Sequence, residues 1–267
     1  MENDSTHDKH YGQVDDLVGA ILSGLGDPTT LTIEDLAPAD EFHLGGAAAT
    51  SAIIDALKVN ETNRVLDIGS GLGGPARRIA STTGAHVTGV DLTPSFVAAA
   101  TALSARLAMS HSTTFVEGDA TQLNLNGPFD AATLIHVGMN IADKKAFFSG
   151  VHGLLAPGSR FVVYDIMLTG DPSKITYPMP FASGPNSAFL EPASSYVDAL
   201  TAAGFNVTEP VDQTRLALDA AASARAEIPP PVSLATVMGP DFATMFTNVG
   251  AALRTGLIAP VQVIATR

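Results

Sequence analysis

The sequence of 267 residues contains no cysteine and no tryptophan, and aromatic residues make up only 6% of it. Without cysteine there are no disulfides, no thiolate nucleophile and no cysteine-ligated metal. Charge is also scarce: Asp, Glu, Lys and Arg together are 15% of the chain, with 14 basic residues against 27 acidic ones. The resulting net charge of -13 repels phosphate backbones and anionic lipid headgroups, so neither nucleic acid nor a membrane surface is an expected partner. The most apolar stretches, such as 95–109, are broken by Ser, Thr and Arg well short of the roughly 20 residues that a membrane-spanning helix needs. The polar start MENDSTHDKH has no apolar stretch behind it of the kind a secretory signal requires, and a cytoplasmic location is expected.

What the sequence does have is a hydrophobic content of 46% with no internal repeat and no low-complexity tract, which places it among globular proteins. Val14, Leu17, Val18, Ile21 and Leu22 recur at the spacing of one buried helical face, which predicts a helix over 13–25; a second is expected over 46–58. From Arg64 onward strands and helices alternate. Predicted strands run Arg64 to Ile68, His86 to Val90, Thr113 to Glu117, Phe129 to His136 and Arg160 to Met167, with helices between them, one of them stopped by Pro157 and Gly158. A helix near Pro192 to Ala203, a strand from Phe205 and a final strand over 258–266 follow. Alternation of this kind implies an α/β fold with a doubly wound, Rossmann-like, mostly parallel sheet buried on both faces, here of seven strands. Residues 170–190, rich in Pro, Gly and Ser, and the helical stretch 216–255, interrupted by Pro229, Pro230 and Pro231, are expected as cap insertions over the sheet's carboxyl edge.

In such sheets ligands sit at the carboxyl ends of the strands, so the first strand-to-helix turn is the place to look. It reads Asp67-Ile-Gly69-Ser70-Gly71-Leu-Gly73-Gly74, a glycine-rich turn that lets a ligand approach backbone N–H groups. Asp91 closes the second strand, where a carboxylate accepts from both hydroxyls of a ribose, and Glu117-Gly118-Asp119-Ala120 closes the third, where an adenine amino group could donate. An acid two residues before the first glycine would face the phosphates of a dinucleotide, but it suits a ligand with an amino group and a positive sulfonium. That chemistry is S-adenosylmethionine. A nicotinamide-dependent oxidoreductase remains as a rival; the Tyr-x-x-x-Lys pair of its short-chain form is absent, since Tyr164 is followed at 168 by Leu.

The stretches VLDIGSGLGGPARRIA, VTGVDLTP, EGDATQL and FDAATLIHVGMNIADKKAFFSGVHGLLAPGSRFVVYDIM resemble the class I S-adenosylmethionine-dependent methyltransferases over residues 60–168. Tyr11 followed by Glu41-Phe42-His43-Leu44-Gly45-Gly46 is similar to the entry segment of their small-molecule branch, which includes sarcosine, dimethylglycine, tocopherol and phosphoethanolamine methyltransferases. The resemblance implies one methyltransferase domain over 1–267, with an N-terminal helical cap (1–58), a cofactor-binding core (60–168) and the two cap insertions. It implies that Gly69, Ser70 and Gly71 line the methionine part of the cofactor and that Asp67 positions its amino end. Asp91 and Leu92 would hold the ribose, and Asp119 and Ala120 the adenine; His136 would stand beside the reactive methyl. His136 and His43 are the candidate catalytic bases, with Glu41 and Asp165 as weaker candidates. The expected partner is a small, partly apolar O-, N- or C-acceptor, with a second copy of the chain as a candidate homodimer partner. No metal is expected, because His136 stands where metal-dependent relatives carry an acid. A protein of this fold that binds the same cofactor but catalyses a non-methylating step is the other alternative.

Overall fold

The computed structural model describes residues 16–226 and 230–267. Tyr11 and residues 13–15 of the expected first helix lie outside the described residues. Helix α1 (Leu17–Gly24) begins where the Asp16 carboxylate accepts from Gly19 N–H at 2.8 Å. Helix α2 (Ile33–Asp40), which the hydrophobic spacing does not announce, starts on a reciprocal cap between Thr32 and Asp35 and ends two residues after Pro38. Helix α3 (Gly46–Leu57) follows.

The strands are β1 (Arg64–Ile68), β2 (His86–Asp91), β3 (Thr113–Glu117), β4 (Phe129–Ile135), β5 (Leu155–Leu168), β6 (Asn206–Val207), β7 (Val211–Asp212) and β8 (Ile258–Thr266). They form one sheet in the order β3-β2-β1-β4-β5-β8-β6, with β7 also paired to β8. β1 to β5 run parallel and β8 antiparallel to β5, so the expected Rossmann-like architecture is the one observed. The sheet has eight strands rather than seven. The segment after Phe205 is divided at Glu209 and Pro210, and Pro210 has no N–H to donate, so two short strands pair separately with β8, at Asn206 opposite Thr266 and at Val211 opposite Gln262. The strand expected from Arg160 starts at Leu155, and its pairing with β4 shifts register between Phe129 and Ala131, so Pro157 and Gly158 lie within the strand's irregular beginning.

Between the strands lie α4 (Gly74–Thr83), α5 (Pro94–Arg106), α6 (Lys144–Leu154), α7 (Ala193–Ala202), α8 (Thr214–Ala226), α9 (Leu234–Met238) and α10 (Phe242–Arg254). Successive strand residues point to opposite faces. Leu66, Leu134 and Phe161 therefore pack with Phe147 and Phe148 on one side, while Val65, Ala131 and Val162 pack with Ile53 and Ile79 on the other. A third cluster joins Leu17, Ile21 and Leu36 of the N-terminal helices to Phe96 and Leu103 of α5 and Val237 of α9. A fourth joins Met139 and Ile166 to Met179, Phe181 and Val249. The N-terminal and late segments are thus packed onto the sheet's carboxyl side, where strand order turns about β1 and β4.

One ion pair fastens the N-terminal segment to the helix behind the glycine turn. Arg77 on α4 donates to Asp40 Oδ2 at 2.7 Å, and neither side chain is exposed. The same guanidinium donates to the carbonyls of Leu72 and Ala100 and to Ser104 Oγ. Next to it, Arg78 Nε donates to Glu41 Oε1 at 2.6 Å. Removing one partner of a buried pair leaves the other charge without compensation in a poorly solvated interior, which costs about 3–5 kcal/mol. Arg77→Ala is expected to lose that much stability in chemical denaturation. Arg215→Ala, which removes an exposed pair with Asp219, is expected to leave the midpoint unchanged.

Candidate active site

The glycine turn leaves β1 at the carboxyl edge. Gly69 has φ +74°, and a Cβ there would run into the Val137 side chain; Gly71 has φ +52°, and a Cβ there would meet nothing within 4 Å. The first glycine therefore permits close packing of β1 against the loop after β4, while the second leaves bare backbone open toward the edge. Around this turn sit buried polar atoms with no partner: Asp67 Oδ2, Ser70 Oγ and His136 Nε2. Unpaired buried groups of this kind cost free energy unless an ordered water or a polar ligand completes the bonding.

Asp67 is 2% exposed and accepts from Thr133 Oγ1 at 2.7 Å through its other oxygen. Burial, with the neighbouring Asp91 and Glu41 adding to it and Thr133 opposing, raises its carboxyl to about 7. Asp91, at the end of β2, reaches back across the turn: Oδ2 accepts from Gly71 N–H at 2.7 Å and Oδ1 from Thr93 N–H at 2.9 Å. Leu92 beside it is 39% exposed. Asp119 Oδ1 accepts from both the N–H and the hydroxyl of Thr121, at 2.7 Å each, and so caps the short turn that begins at Ala120. These residues lie at the ends of adjacent parallel strands, β1, β2 and β3.

His136 follows β4 and is a non-glycine residue in the left-handed region, at φ +54°, a strained conformation that persists where packing over-determines it. Its ring stacks on Tyr164 with centroids 5.6 Å apart and stands 5.9 Å from the ring of His43. Tyr164 in turn donates its hydroxyl proton to Leu44 O at 2.8 Å, which fixes the segment carrying His43. His43 Nε2 lies 3.0 Å from Gly46 O, an atom that only accepts, so this nitrogen carries the proton. Thr50 supports the same tautomer: it donates to Glu41 Oε2 at 2.6 Å, which leaves its oxygen to accept from His43 Nε2 at 3.1 Å. The lone pair of neutral His43 is therefore on Nδ1. Burial holds both imidazoles below their ordinary range, His136 well below it with His43 contributing, so both are neutral at pH 7.

The two histidines line one cavity of about 680 Å³, a size typical of small-molecule sites, together with Met139, Ile166, Phe42, Phe181 and the alanines of α3 and α8. Asp165, one of the weaker candidates, is turned elsewhere: it is fully buried, accepts from Tyr196 OH at 2.7 Å, and burial raises it to about 7. Glu41, the other, has Oε2 3.8 Å from His43 Nε2 and accepts from Thr50, which lies against the same nitrogen. Tyr196 and Lys144 belong to the same buried group, and Lys144 Nζ donates to the carbonyls of Ile141 and Phe189, tying down the segment that ends the 170–190 insertion. Thr50, Tyr164 and the Asp40–Arg77 pair escape sequence reasoning, because a threonine inside an alanine-rich helix and an arginine after Pro75 read as ordinary helix residues.

A family described as a methyltransferase domain matches residues 65–158. Sterol 24-C-methyltransferase ERG6A of Gibberella zeae is 34% identical over 114 residues, covering 42% of this chain and 30% of that protein. The O-methyltransferase of Pyrenophora dematioidea is 29% identical over 179 residues, 66% of each chain. The chain thus spans about a third of the length of the sterol methyltransferases it matches. Among solved structures, a Haemonchus contortus phosphoethanolamine N-methyltransferase 2 complex with S-adenosyl-L-methionine superposes with a TM-score of 0.68 at 19% identity, over 95% of this chain and 60% of that one. The [4+2]-cyclase SpnF superposes with a TM-score of 0.64 at 20% identity, over 96% and 95%. Among the described residues no helix is long and apolar enough to cross a membrane.

The raised carboxyl of Asp67 has a thermodynamic consequence. The folded protein holds a proton up to about pH 7 that the unfolded chain releases near 3.8, so this group's contribution to stability falls as pH rises through that window. Asp165, and Asp40 at about 6, act in the same direction. Asp67→Asn is expected to reduce the drop in melting temperature between about pH 5 and about pH 8, measured by circular dichroism; an undiminished drop would contradict the assignment.

Proposed function

We propose that the chain is an S-adenosylmethionine-dependent methyltransferase acting on a small, partly apolar metabolite, and that the whole of it forms one functional unit with residues 170–190 and 216–255 covering the acceptor. The observation that carries the reading is the set of unpartnered buried atoms beside Gly71's open backbone, Asp67 Oδ2 above all. A cationic amino group is the partner that a buried carboxylate at that point lacks, and Asp91, which accepts from Gly71 N–H at the neighbouring strand end, would accept from the hydroxyls of a ribose. The methyltransferase-domain match over 65–158 covers all of these residues and supports the same assignment.

When bound, the cofactor supplies an electrophilic methyl carbon on a positive sulfur, and no covalent enzyme intermediate is required. The chain's own residues then have three tasks. Asp67, Gly69, Ser70 and Gly71 hold the amino-acid end; Asp91 and Leu92 orient the ribose; Asp119 and Ala120 read the adenine. His136 and His43, neutral and lining the cavity, are the side chains that would serve as general base for an acceptor's proton. The apolar walls exclude water, and alignment of donor and acceptor provides much of the acceleration.

Calorimetric titration tests the cofactor: S-adenosylmethionine and S-adenosylhomocysteine are expected to bind and NADH not to bind. Asp91→Ala is expected to weaken S-adenosylhomocysteine by about tenfold or more, through loss of charge-assisted hydrogen bonds of about 1.5–3 kcal/mol. His136→Ala is expected to lower turnover with cofactor affinity little changed, and wild-type turnover would remove His136 as the base. Product mass separates methyl transfer, which adds a CH2 unit, from a non-methylating reaction on the same scaffold.

A further inference from the structure

We propose that the acceptor is an amphiphile: an apolar body that fills the cavity, carrying one anionic group, a carboxylate or a phosphate ester, that Arg254 pairs at the cavity's mouth. The proposal rests on methyl transfer as the reaction of this site and adds the substrate's charge and orientation. Helix α10 lines the 680 Å³ cavity with two rows of residues. Val249 and Leu253, 2% and 7% exposed, form the inner row. Phe242, Phe246, Gly250 and Arg254 recur at every fourth position and form the outer one. Phe246 is 41% exposed and Arg254 is exposed too, so the outer row stands where the cavity opens to solvent. Helical side chains lean toward the N-terminus of their helix, and the Arg254 guanidinium accordingly lies back over Gly250: the three atoms nearest to a Cβ at 250 would be its Nη1, Cζ and Nη2, at 3.1, 3.8 and 3.8 Å. The missing side chain at 250 leaves that room to the guanidinium.

Arg254 is the one fixed charge among the described residues that line the cavity. The other side chains with a nitrogen or oxygen in that described lining are His43 and His136, which burial keeps neutral, and Ser223, whose hydroxyl donates back to Asp219 O at 3.1 Å. It contains no carboxylate, so an ammonium group would meet no partner there, whereas an anion would meet one. Among the described residues Arg254 has no ion pair of its own. A planar guanidinium presents paired N–H donors that match two oxygens of a carboxylate or a phosphate. At the mouth the anion keeps part of its hydration and avoids the desolvation cost that a charge would meet deeper inside. The rest of the molecule gains by burial against the apolar walls, which include Met139, Ile166 and Phe181. The acceptor therefore enters apolar end first, with its anion held at the opening.

The test measures binding by ligand-observed NMR titration at about pH 7.5, where a carboxylic acid is ionised, on the protein alone and on the protein saturated with S-adenosylhomocysteine. Geraniol, geranic acid and geranyl monophosphate share one apolar chain and differ in the end group. At least one of the two anions is expected to bind about threefold or more tightly than geraniol, and the tighter of the two identifies the anionic group. Raising the salt concentration from about 0.05 M to about 1 M is expected to shrink that preference, because the pair is reached by solvent. Arg254→Gln is expected to reverse it, since the chain's net charge of -13 then acts on the anions uncompensated, while geraniol binds as before. Arg254→Lys, which keeps the charge and loses the fork, is expected to retain part of it. The proposal is overturned if geraniol binds as tightly as both anions, if the preference is insensitive to salt or survives in Arg254→Gln, or if none of the three ligands binds. Failure of S-adenosylhomocysteine to bind would instead count against the methyltransferase reading, and the preference measured on the protein alone still decides the role of Arg254.

Discussion

Asp40 and Arg77 meet in the interior with neither side chain exposed, and the geometry of the site depends on that contact. It joins the end of α2 to the helix that follows the glycine turn, and the next residues, Glu41 to Gly46, are laid against the carboxyl edge as a result. Glu41 is then held by Arg78, Thr50 by Glu41, and His43 by Thr50 and Gly46 O. The chain of contacts ends with the His43 ring 5.9 Å from His136, so two elements far apart in sequence form one wall of one cavity.

Desolvation is the second common thread. Asp40, Asp67 and Asp165 are all buried, and burial raises each of them. In Asp40 an arginine opposes the shift, and in Asp165 a tyrosine hydroxyl and a nearby lysine do. Asp67 has only Thr133 on one oxygen, which leaves the other for a ligand. The histidines are shifted the opposite way by the same cause. A site built this way keeps both histidines neutral, with Arg254 the one fixed charge among the described residues that line the cavity.

β1 was legible in the sequence because a central parallel strand is buried on both faces and reads as an apolar run, and the edge strand β3 and the antiparallel β8 also fall where their β-branched and apolar runs predict. The glycine turn and the acids at the strand ends were legible because their spacing follows from the fold. The two short strands β6 and β7 were not, since two residues carry no periodicity, and α2 was hidden by Pro38 inside it. His136 could be placed at a strand end, but its φ of +54° and its stacking on Tyr164 are tertiary facts. Thr50's part in setting the His43 tautomer is also tertiary, because it depends on helix α3 lying beside Glu41.

The most direct measurement of the central claim is a crystal structure of the protein with S-adenosylhomocysteine. The account predicts the ligand along the ends of β1, β2 and β3, its amino group within hydrogen-bond distance of Asp67 Oδ2 and its ribose hydroxyls on Asp91, with the sulfur facing the cavity beside His136. A ligand bound elsewhere, or bound at this edge with Asp67 Oδ2 still unpartnered, would contradict it.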